Sequence, residues 1–92
     1  MNPEDISFHT TFNGAPGVVN FVSNDGWQRR VETSGVFNIP QDGGAQMVHV
    51  NGNVPDSVVI EIKRGGALLA MSTYVGAFAG DIRYGVNNGG PR

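Results

Sequence analysis

Few side chains in this sequence are able to do chemistry, and their spacing decides what that chemistry is. His9 and His49 are the only imidazoles, and neither has a second His or a carboxylate two residues away. That spacing is what would place two metal ligands on one face of a strand. Ser34 and Ser72 are candidate nucleophiles, yet no G-x-S-x-G elbow surrounds either and no histidine is tied to them by motif. Glu32 and Glu61 as a glycosidase pair would need a deep cleft, for which short loops leave little room. Asp25, Asp42 and Asp56 fall at turns where a calcium ion can gather oxygens, but no D-x-D-x-D-G loop is present, and Asp beside Gly or Pro is a turn former. The Gly-Gly pairs at 43–44, 65–66 and 89–90 are followed by no Lys-Ser/Thr, so no phosphate cradle is expected. The chain has no cysteine, which excludes thiolate metal sites, disulfides and thiol catalysis. No catalytic residue, metal site or cofactor is assigned. The remaining chemistry is stacking: Trp27, helped by Arg29, or Tyr74 or Tyr84, is a candidate platform for a sugar ring.

These residues must be carried by strands. Val58, Ile60 and Ile62 alternate with Val59, Glu61 and Lys63, the period of two of a half-buried strand. Arg64-Gly65-Gly66 then breaks the run, and a Gly-Gly pair supplies the positive φ angles of a tight hairpin. The return strand is expected over 68–75. Further strands are expected over 6–12, 18–22, 27–33, 36–39, 46–51 and 82–86, separated by turn signals at 13–17, 23–26, 41–44, 52–56 and 76–80. No segment shows a sustained 3.6-residue period with caps, so no long helix is expected. The pattern predicts an all-β domain over residues 1–92, with seven or eight short antiparallel strands and a flexible tail at 87–92; the strand spacing fits a sandwich or a small barrel alike, and a single antiparallel β-sandwich is the expected form. The alternation points to a core of Phe8, Phe12, Val18, Val31, Phe37, Ile39, Val48, Val50, Val58, Ile60, Ile62, Leu69 and Ile82.

Composition narrows the function classes. Charged residues are 15% of the chain and the net charge is −2, with the six basic residues scattered, so the stripe expected of a nucleic-acid binder is missing. No run approaches the ~18 apolar residues of a membrane span, and the acidic start Met1-Asn2-Pro3-Glu4-Asp5 lacks the basic, then apolar, order of a signal peptide. A soluble chain is expected, in a compartment the composition does not specify.

The run "SVVIEIKRGGALLAMSTYVGAFAGDI", residues 57–82, resembles the closing hairpin and strand of the small extracytoplasmic β-sandwich of MmpS-type transport accessory proteins. The preceding "VVNFVSNDGWQRRVETSGVFNIPQDGGAQMVHVNG" is similar in its order of strands and turns. The resemblance implies an immunoglobulin-like topology of two sheets and brings no catalytic residues. Members of that family carry a membrane anchor or a lipidated Cys, and this sequence shows neither.

The expected function is a non-enzymatic interaction or structural module that binds a protein partner or self-associates, as a surface, virion or secretion-associated part. The alternatives are a glycan-binding module using Trp27 and Arg29, and a small protein inhibitor of a macromolecular machine. The expected contact is the returning strand of the hairpin. Leu68, Ala70, Ser72 and Tyr74 occupy one face by simple alternation and Leu69, Met71, Thr73 and Val75 the other, so both faces are largely apolar where a sandwich buries one.

Overall fold

The structure is a computed structural model that describes residues 6–23, 26–39 and 47–84. Among the described residues six strands form one antiparallel sheet: β1 (Ile6–Asn13), β2 (Val18–Ser23), β3 (Gln28–Val31), β4 (Gly35–Ile39), β5 (Met47–Arg64) and β6 (Ala67–Arg83). Among the described residues there is no helix long and apolar enough to cross a membrane.

The sheet is organised around β5. One edge of β5 pairs along its whole length with β6, from Met47↔Arg83 to Arg64↔Ala67. The other edge is shared by two shorter strands placed end to end. β2 takes the first half of β5 (Val18↔Asn53 to Ser23↔Val48), and β1 takes the second (Asn13↔Ser57 to Ile6↔Arg64). Beyond these, β3 pairs with β2 and β4 with β1, again end to end. The sheet therefore has four long tracks, each interrupted near its middle: at residues 14–17 between β1 and β2, at 32–34 between β3 and β4, at a register shift between Val54 and Ser57 in β5, and at Gly76 in β6, where φ is +71°.

These interruptions lie along one line across the sheet, and there the sheet folds. Phe8 and Phe21 are 13 residues apart on one track, which extended chain would separate by about 40 Å. Their ring centroids are 5.7 Å apart, edge to face. Phe8 is also edge-on to Trp27 at 5.4 Å and to Tyr84 at 5.5 Å, and stacks on Phe37 at 5.0 Å. The two halves of the curled sheet thus meet face to face over an aromatic core, giving a half-barrel in which bends carry each track round the corner. The corner is held by polar contacts: Asp56 accepts a hydrogen bond from the Ala15 N–H at 3.0 Å, and Ser34 Oγ accepts one from the Phe12 N–H at 2.9 Å.

The expected all-β, antiparallel architecture is present, but the described residues form six strands in one curled sheet where seven or eight strands in two sheets were expected. The loops expected at 52–56 and 76–80 are strand residues, because backbone pairing continues past Pro55-Asp56 and through Gly76 and Gly80. Of the expected core, Phe8, Phe12, Phe37, Val48, Val50, Val58, Ile60, Ile62 and Ile82 are buried, while Val31, Ile39 and Leu69 pack against the core only partly covered. Val18 is half-buried, and Val19 and Phe21 point inward in its place. The pairing Val19↔Gly52 and Phe21↔Val50 sets that phase, and a one-residue slip would turn every side chain of β2 over. Ile6, Val54 and Tyr84 complete the core. The tail expected at 87–92 lies outside the described residues.

Candidate functional site: the open edge of strand β6

β5 has a neighbour on each side, whereas β6 has one on a single side: it pairs with β5 and with no other described strand. A strand edge left in this way presents a row of backbone donors and acceptors to whatever comes beside it. Proteins usually guard such edges with charges, prolines or a short strand. β6 is 17 residues long, has no proline, and carries no charge before Asp81 and Arg83 at its end.

The two faces of β6 differ. Opposite the inward positions of β5 (Ile62, Ile60, Val58, Val54, Gly52 and Val50) stand Ala70, Ser72, Tyr74, Gly76, Phe78 and Gly80, all partly covered, followed by the buried Ile82. Tyr74 and Phe78 stack at 4.6 Å and 14°, although four residues of straight strand would part them by about 13 Å. The bend at Gly76 brings them together. The phenol of Tyr74 lies over Gly80, where an added Cβ would sit 2.9 Å from its oxygen. The aromatic pair caps the core where no further strand covers it.

The outer face carries Met71, Thr73, Val75, Ala77, Ala79 and Asp81, all exposed, with Met71 57% and Val75 69% accessible. Leu68, 52% accessible, belongs with them. A register shift between Ile62 and Lys63 places Ala70 opposite Ile62 but Leu68 opposite Lys63, on the other face. The four residues grouped by alternation are therefore divided: Ala70, Ser72 and Tyr74 look toward the core and Leu68 looks outward. At the far end His49 Nδ1 and Asp81 Oδ1 form a cross-strand pair, both half-exposed.

The other candidate residues are placed as follows. Trp27 is half-buried, edge-on to Phe8 and Phe37, and its indole N–H is buried with no acceptor among the described residues. It packs against the core with its polar edge turned in. Arg29 lies over the Phe37 ring at 4.7 Å, a cation–π contact, and Arg30 is held by Glu32 at 2.6 Å. Both arginines line open depressions of about 200 and 330 Å³ along β3. His9 Nε2 lies 3.0 Å from Ser7 Oγ on the outer face of β1, with Glu61 across from it on β5. Ser34 and Asp56 are engaged at the corner, as above. Asp25 and Asp42 lie outside the described residues, and among those described no three metal-ligating side chains cluster.

The strand expected over 68–75 is present but extends further, from Ala67 to Arg83. The missed part, Gly76 to Arg83, is rich in Gly and Ala, which signal a turn when read locally. The available clue was the alternation Phe78, Gly80, Ile82 against Ala77, Ala79, Asp81, which keeps the phase of Tyr74 and Val75. Comparison of the chain with protein-family models, curated proteins and solved structures finds no match among any of them.

Proposed function

We propose that this chain is a non-enzymatic interaction module that takes a protein strand along the open edge and outer face of β6. The carrying observation is the length and neutrality of that edge: a 17-residue strand that pairs with β5 and no other described strand, uncharged as far as Gly80, with Leu68, Met71 and Val75 exposed beside it. Strand addition draws its affinity from main-chain hydrogen bonds and its selectivity from alternate side chains. β6 offers both in one continuous element.

Replacing Val75 with a benzophenone amino acid and irradiating the protein, pure and in an extract of its source cells, tests this reading. Adducts are expected from position 75 and not from His9, an outward position on β1 paired with Val36 on one side and Glu61 on the other. A position 75 that gives no adduct in either setting removes β6 as an interaction edge.

A further inference from the structure

We infer that the strand received by β6 is β6 of a second copy, running antiparallel, with Gly76 on the two-fold axis. This rests on the reading of β6 as an interaction edge and adds the occupant and the register.

Three observations lead there. The first is the bend. Within the chain every track turns the corner on one common line, and β6 does so at Gly76. A strand added to β6 must bend at the same place or lose its pairing on one side of the corner. A second β6 has that bend, and it coincides with the first only when Gly76 faces Gly76. A two-fold axis through this point, along the sheet normal, also keeps both copies curled to the same side. The sheet then continues across the axis as eight tracks folded on one line.

The second observation is the order of side-chain sizes. With Gly76 on the axis, Val75 meets Ala77 of the second copy and Thr73 meets Ala79 on the outer face. On the inner face Tyr74 meets Phe78 and Ser72 meets Gly80. Larger residues before the bend oppose smaller ones after it, except where two aromatic rings meet. Directly opposed side chains are the unit of sheet stabilisation, so this order makes the strand complementary to its own reverse.

The third is charge. From position 72 to 80 every residue meets an uncharged one, and Asp81 and Arg83 fall at the ends, opposite Met71 and Leu69. A partner selected by charge would find nothing along this edge to recognise. A second copy brings no repulsion to it.

The experiment has two arms. In the first, size-exclusion chromatography with light scattering is run on wild type and on Val75→Lys. Wild type is expected to be a dimer. The variant places two ammonium groups diagonally across the axis and is expected to be monomeric with an unchanged far-ultraviolet spectrum, since Val75 is exposed. The second arm uses the absence of native cysteine. Thr73→Cys and Ala79→Cys are purified separately, then oxidised alone and mixed. Directly opposed Cβ atoms lie about 4.5–5.5 Å apart, close to what a disulfide spans. A disulfide-linked dimer is expected only in the mixture. A dimer from Thr73→Cys alone would put the axis at Thr73 and overturn the register. A monomeric wild type with no cross-link in the mixture overturns self-pairing. In that case, adducts from position 75 with a different protein leave the strand-addition reading standing, and their absence removes it as well.

Discussion

The two flanks of β5 start from the same strand and end in different states. On the β1 and β2 side a second rank of strands lies beyond, and Ile6, Phe8, Val19 and Phe21 are no more than 1% accessible. On the β6 side nothing described lies beyond, and no residue from Ala67 to Asp81 reaches full burial. Apolar content does not explain the contrast, for β6 has Leu68, Leu69, Met71, Tyr74, Val75, Phe78 and Ile82. What differs is the number of neighbours. A strand with a neighbour on each edge has its inward side chains enclosed, whereas an edge strand encloses its own from one side only. The first flank therefore encloses most of the core, and the second leaves Leu68, Met71 and Val75 exposed.

Equal truncations on the two flanks test this division. Phe8→Ala removes a ring that touches Phe21, Trp27, Phe37 and Tyr84 at once and should cost about 3–5 kcal/mol. Phe78→Ala removes a half-covered ring with one aromatic neighbour and should cost about 1–2 kcal/mol. Urea unfolding of both changes in the Val75→Lys background keeps association out of the measurement. Equal losses would mean that the flanks do not differ.

The glycines offer a second comparison. A Cβ on Gly52 would lie 1.9 Å from the Val18 carbonyl oxygen, so Gly52→Ala must part β5 from β2 and should cost about 3 kcal/mol. Gly76 has open space around it, and Gly76→Ala meets only the left-handed backbone at φ +71°, a cost of about 1–2 kcal/mol. Thermal unfolding should rank the pair in that order. A reversal would place the constraint on the bend of β6 above that on the β2 seam.

The smallest effect is expected at the end of β6, where His49→Ala removes the pairing with Asp81 across β5 and β6. Both side chains are about half exposed, so stability should fall by no more than about 0.5 kcal/mol. A larger loss in a thermal scan would show that the β6 flank depends on this pair more than its exposure allows.

How much of this was legible in the sequence depended on whether a feature is local. The alternation of Val58, Ile60 and Ile62 and the Gly65-Gly66 turn needed no partner to be read, and the structure has both, with φ of +58° and +86° at the two glycines. The phase of β2 was not legible, since Val18-Val19 offers two apolar choices and only pairing with Gly52 and Val50 selects between them. The division of Leu68 from Ala70 depends on an irregularity opposite Lys63, which no residue type announces. Trp27 was ambiguous for a related reason: its strand neighbours Arg29 and Val31 left its face open, and the rings that claim it come from β1 and β4. The corner was the least visible of all. It is a line joining four separate places in the chain; three of them read locally as turns, and the fourth, 32–34, falls at the end of an expected strand.

The two-residue turn at Gly65-Gly66 also bears on how the chain reaches its fold. It joins the two longest strands, so pairing of β5 with β6 starts from neighbours in sequence and lengthens by closing small loops. Pairing of β1 with β5 brings together residues as distant as Ile6 and Arg64, and the chain must order far more of itself before that contact is rewarded. The hairpin is thus expected to form early and the β1–β2 flank to arrive late, so that substitutions at the turn alter the folding rate and those in β1 chiefly alter unfolding. Until β1 and β2 arrive, both edges of β5–β6 are open, and a nascent chain is exposed to mispairing along its full length. The uncharged stretch of β6 is thus where folding is expected to be most sensitive to crowding by other copies.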